Sequence, residues 1–105
     1  SKYAEPSLLI LGKVFYYQKN FPKAERKFKE LASKGDTDLY LENLLWLAKT
    51  ELQMRKFDDG LKALQVVKQK ASEEENLDLL TDAFVTEIAF YVFRENYDNA
   101  IADAK

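Results

Sequence analysis

Three segments of this chain repeat one pattern of apolar residues. Leu8, Leu11, Gly12 and Phe15 are followed by Phe21, Ala24 and Phe28. Leu44, Leu47 and Ala48 are followed by Phe57, Gly60 and Leu64. Phe84, Ile88 and Tyr91 are followed by Tyr97, Ala100 and Ala104, a weaker copy. The aromatic that opens the second half of each copy stands at 21, 57 and 97, so the period is 36 residues and then 40. A period in this range marks a stack of helical hairpins, each unit burying a bare face on its neighbour. The pattern predicts an all-α superhelix of three antiparallel helix pairs, with repeats over 4–36, 37–72 and 73–105.

The local signals agree. Apolar residues at three- and four-residue steps predict a first helix over 5–18, with Leu8, Leu11, Gly12 and Phe15 on its inner face. Pro6 suits a first helical turn, where its missing N–H costs nothing. Asn20, Phe21 and Pro22 break the chain, and a second helix over 22–33 buries Ala24, Phe28 and Leu31. Gly35 can close it in a left-handed cap. Asp36 or Thr37 caps a third helix that runs to 54. Asp58 stands as the cap of a fourth over 59–71. Ser72 with Glu75 three residues on has the form of a capping box for a fifth helix over 73–95, with Leu77, Leu80, Phe84, Ile88, Tyr91 and Val92 inside. Asn96, Tyr97 and Asp98 mark another turn, and 99–105 begins a sixth helix.

Composition closes several routes to function. The 105 residues contain no Cys and no His. That removes disulfides, thiol chemistry, His acid–base chemistry and zinc sites built on those ligands. No nucleophile–base pair, phosphate loop or metal cluster is visible, so neither an enzyme nor a cofactor is expected. No apolar run of about 18 residues exists, so direct membrane insertion is not expected. The charge is uneven. Residues 1–35 carry eight basic and three acidic side chains, residues 36–71 six of each, and residues 72–105 two basic and nine acidic. A linear stack turns this into a basic end, at +5, and an acidic end, at −7. Lys23, Arg26, Lys27 and Lys29 are interrupted by Glu25 and Glu30, and the pI is about 5.2. They read as a solvated outer face, and nucleic acid is not an expected partner.

The repeat resembles the tetratricopeptide repeat family, whose pattern is Leu or Trp, then Leu-Gly, then Tyr, an aromatic at the turn, and Ala and Phe in the second helix. Leu8, Leu11, Gly12, Phe15, Phe21, Ala24 and Phe28 match it closely. The second copy has Ala48 for Gly, Gly60 for Ala and Glu51 for Tyr. The third has Glu87 and Ile88 in place of Leu-Gly. The resemblance spans residues 4–105 and implies a right-handed solenoid with a concave groove lined by the first helix of each pair. The lengthened repeats look like those of bacterial members, including cell-envelope lipoproteins. Cytoplasm and periplasm both stay open, and the chain reads as one domain of a longer protein.

Carried onto this sequence, the groove lining is Leu9, Lys13, Tyr16 and Tyr17, then Leu45, Lys49, Leu52 and Gln53, then Val85, Ala89 and Val92. Apolar anchors beside two lysines one repeat apart suit an extended or helical partner segment with a carboxylate. The alternative is that Leu9, Leu45 and Val85 merely pack against a missing neighbour or a long terminal helix. The clamp by which some members of this family hold acidic chaperone tails corresponds to Leu9, Lys13, Trp46, Asp82 and Thr86. Only Lys13 has suitable charge, so that clamp is not expected. Trp46, the only tryptophan, reads as a half-buried packing residue near the groove. The expected function is a scaffold or adaptor that binds a protein or peptide. The alternative is self-association, head to tail, through the oppositely charged ends.

Overall fold

The structure is a computed structural model that describes residues 3–104, with the backbone alone at 100, 103 and 104. Lys2 and Lys105, counted in the charge of the two ends, lie outside the described residues, as do the side chains of Ala100 and Ala104. Five helices make up the described chain: α1 (Ala4–Tyr17), α2 (Phe21–Ala32), α3 (Tyr40–Gln53), α4 (Phe57–Glu73) and α5 (Leu77–Ala104). Each packs on the next in sequence, and α1 also touches α3, as α3 touches α5. The odd-numbered helices therefore lie side by side along one face of a body measuring 55 × 31 × 19 Å.

One turn is used three times. Lys19, Arg55 and Glu75 adopt left-handed backbone, with φ of 61°, 66° and 56°. In each, the next residue's N–H reaches back five positions: Asn20 to the Phe15 carbonyl at 2.8 Å, Lys56 to Glu51 at 2.9 Å, Asn76 to Ala71 at 2.8 Å. This pairing satisfies carbonyls that a helix end leaves bare and reverses the chain within three residues. Asn20 and Asn76 then cap the following helices, their side chains accepting from the N–H of Lys23 and Leu79. The expected caps at Asp58 and Ser72 are thereby corrected. Asp58 lies in the first turn of α4, and Ser72 lies inside α4, which the turn at Glu75 ends later than a box at Ser72 would. The α2–α3 connection is longer. Gly35 takes φ of 92°, the Thr37 hydroxyl accepts from the Leu39 N–H at 3.3 Å, and α3 starts at Tyr40.

The core is built where small residues let helices close up. Leu9, Ala24, Phe28, Leu31 and Leu47 form one buried cluster, and Leu45, Ala48, Leu64, Val67 and Ala83 the next. Full burial of a side chain such as Phe28 contributes about 1.5–3 kcal/mol. The Phe28 ring lies directly over Gly12, where a Cβ would overlap it. Leu11, expected on the inner face, is exposed, because α2 sits against the Gly12 side of α1.

The third pair differs from expectation. The chain does not turn at 96–98, and α5 runs straight from Leu77 to Ala104. The covering residue in each earlier second helix is large, Phe28 or Leu64, but the third copy offers Ala104. The register of α5 differs as well. Ala83 and Phe90 are buried, and Leu79 packs against the cluster that holds Ala83. Leu77, Phe84, Ile88, Tyr91 and Val92, expected inside, are exposed.

Gly12→Ala is expected to lower stability by about 1–3 kcal/mol, since the buried Phe28 ring has no room to swing aside. Urea unfolding would show a lower midpoint at unchanged slope. An unchanged midpoint would mean that the α1–α2 contact is looser than its geometry implies.

Candidate functional site

On the face where α1, α3 and α5 run side by side there is a cleft of about 480 Å³. Leu52, Val85, Ala89, Phe90 and Phe93 give it apolar walls. Tyr16, Lys49, Gln53, Arg55, Asp82 and Thr86 supply polar atoms. A volume of a few hundred cubic ångströms, with apolar walls and several polar groups, suits a bound side chain or small molecule.

Six of the expected lining residues meet here: Tyr16, Lys49, Leu52, Gln53, Val85 and Ala89. Leu9 and Leu45 do not, and the expectation is corrected for both. They are core residues, 5% and 1% exposed, because the next odd-numbered helix closes over each. Tyr17 is exposed, its ring edge-on to Tyr16 and Trp46. Val92 is exposed and outside the cleft, whose wall is its neighbour Phe93. Residues 17, 53 and 93 are spaced as 21, 57 and 97 are, so the repeat register itself pointed to Phe93.

The two lysines hold the helices together. Lys13 of α1 pairs with Glu42 of α3 at 2.9 Å, and Lys49 of α3 pairs with Asp82 of α5 at 3.2 Å. Both ammonium groups also lie over the Trp46 ring, at 5.2 and 4.6 Å from its centre. Trp46 is half-buried and meets Tyr16 edge-on at 5.3 Å and Phe28 stacked at 6.4 Å. It is thus the packing hub of this face. Two cations at one ring and two ion pairs in register give α1, α3 and α5 a common brace.

Arg55, which the sequence did not single out, is placed differently. It is the left-handed residue of the α3–α4 turn, which swings its side chain across to α5. Its guanidinium lies 5.3 Å from the Phe93 ring centre and 5.4 Å from that of Tyr97. Among the described residues it has no ion pair. A smaller hollow of about 270 Å³ adjoins, lined by Arg55, Phe57, Phe93, Arg94, Tyr97 and Asp98. Arg55 and Phe93 belong to both spaces. Burial pushes the Tyr16 phenol above its ordinary range, and a hydrogen bond with Gln53 partly offsets this. Tyr16 therefore keeps its proton throughout the neutral range.

A second charged group bridges α2 and the α3–α4 turn. Glu25 accepts two bonds from Lys56, at 2.8 and 3.0 Å, with Lys29 at 3.6 Å. Glu51 is buried at the position that Phe15 and Tyr91 occupy in the other copies. Burial raises its pKa, as do the charges of Asp59 and Glu25, while Lys29 and Lys56 pull it down. Among the described residues no group of acidic side chains is arranged to hold a metal, and no helix is long and apolar enough to cross a membrane.

A carboxyl whose pKa is higher folded than unfolded binds its proton more tightly when folded. Its contribution to stability therefore falls as pH rises from the ordinary carboxylate range through the raised value. Glu51→Gln is expected to raise the melting temperature at pH 7, with the gain shrinking near pH 4. A variant less stable than the parent at pH 7 would mean that Lys56 and Lys29 more than compensate the buried charge.

The comparisons with known proteins bear on all of this chain. It matches the family model of the tetratricopeptide repeat-like domain over residues 1–105. No curated protein and no solved structure matches it.

Proposed function

The chain belongs to the tetratricopeptide repeat-like family, whose members are in general protein-interaction modules, and we propose that residues 1–105 act as one such module, holding a segment of a partner protein in the cleft between α1, α3 and α5. The observation that carries this is the Arg55–Phe93 pair. Lys13 and Lys49 spend their charge on Glu42 and Asp82, while Arg55 lines the cleft without an acidic partner among the described residues. A guanidinium held over aromatic rings is positioned before a ligand arrives, and guanidinium groups bind carboxylates through two parallel hydrogen bonds. Leu52, Val85 and Phe93 beside it supply an apolar pocket. The partner segment is accordingly an extended or helical peptide with a carboxylate at Arg55 and an apolar side chain between Leu52 and Phe93. Binding is the whole of the activity in this reading.

Peptides selected from a display library against the folded chain provide the test. Arg55→Ala and Phe93→Ala are each expected to weaken the selected peptides by about tenfold or more, the scale of a charge-assisted contact of about 1.5–3 kcal/mol. Lys23→Ala, on the outer face of α2, should leave affinity unchanged. Binders indifferent to both cleft variants would place the site elsewhere.

A further inference from the structure

Three residues break the repeat, and they meet in space. At the spacing of Phe21, Phe57 and Tyr97, Glu25 stands where the other copies have Leu61 and Ile101. Glu51 stands where they have Phe15 and Tyr91, and Lys56 where they have Asn20 and Asn96. Glu25 on α2 and Glu51 on α3 are 8% and 6% exposed. Lys56, in the α3–α4 turn, donates to both Glu25 oxygens, at 2.8 and 3.0 Å. Glu51 lies within the field of Glu25, Lys29, Lys56 and Asp59. Apolar residues at 25 and 51 would serve packing as well or better. Departures from a fold's own pattern collect where something besides packing is required.

The turn also gives up a local gain. In the two other turns of this geometry, Asn20 and Asn76 cap the next helix through their side chains. Lys56 is the N-cap of α4 and makes no side-chain cap bond. Its ammonium goes to α2 instead. The residue before it goes the other way. Arg55, left-handed at φ of 66°, places its guanidinium over Phe93 and Tyr97 of α5. Two adjacent residues thus tie one turn to α2 and to α5, helices that are not neighbours among the described residues. Lys29, 3.6 Å from Glu25, is a second cation there, but it sits on α2 itself and cannot hold the turn.

We propose that the Glu25–Lys56 bridge is a positioning latch: it pins the α3–α4 turn to α2 and thereby holds Arg55 over Phe93 in the orientation the cleft uses. Lys56 and Glu25 act through Arg55 and are positioning residues. The latch rests on the peptide-binding reading of the cleft, yet the geometry it controls exists without a peptide and can be measured without one. Its effect is preorganisation. An arginine has many rotamers to lose, and ordering it beforehand spares that loss on binding.

Lys56→Asn separates positioning from stability. It cuts the bridge and supplies the residue that caps α2 and α5 in the sister turns, so the variant should melt no lower than the parent. In NMR spectra of the parent, the Arg55 side-chain protons are expected upfield of free arginine, shifted by the Phe93 and Tyr97 rings. In Lys56→Asn they should move toward free-arginine positions. Peptides selected on the parent should bind this variant about two- to tenfold more weakly, the scale of ordering one rotamer-rich side chain. Lys56→Arg can reach Glu25 with two parallel hydrogen bonds and should restore both readouts. Glu25→Gln leaves the turn's own sequence untouched and should move the Arg55 signals in the same direction as Lys56→Asn. Arg55 signals that stay at parent positions in both Lys56→Asn and Glu25→Gln would overturn the latch. Signals that move, with selected peptides that ignore Arg55→Ala, would support the latch and count against the cleft reading alone.

Discussion

The first two hairpins each depend on the size of one residue in the second helix. Phe28 presses on Gly12, and Leu64 lies in one buried cluster with Ala48. Each closes a hairpin by filling the notch that a small residue leaves in the first helix. The third copy reverses both partners, with Ile88 where the notch should be and Ala104 where the filler should be. In the structure α5 runs on as one helix to Ala104, with Ile88 and Tyr91 exposed on it.

That outcome shapes the cleft as well. Because α5 is straight, Phe93 and Tyr97 stand on one continuous helix above the α3–α4 turn. Arg55, thrown outward by its left-handed backbone, meets both rings. A turn at 96–98 would have carried Tyr97 away from Phe93. The cation–aromatic cluster therefore depends on α5 being one unbroken helix. The brace of Lys13, Lys49 and Trp46 belongs to the stronger repeats, and its ion pairs cross between odd-numbered helices at each step. It fixes the spacing of α1, α3 and α5, and that spacing sets the width of the cleft.

The family and the first two hairpins were legible in the sequence because the residues that close them are strong signals: Gly12, Phe28, Phe21 and Phe57 at fixed offsets. The odd-helix face was legible for the same reason, and it located Tyr16, Lys49, Leu52 and Gln53. Three things were hidden. Leu9 and Leu45 carry the same offset as Val85, but only a following helix decides whether that position is buried or open. The salt bridges of Lys13 and Lys49 join residues about 30 apart, which no local pattern reveals. The register of α5 was hidden because its apolar residues surround the helix, so no periodicity favours Ala83 and Phe90 over Ile88 and Tyr91. The repeat pattern chose the second set, and packing on α4 chose the first.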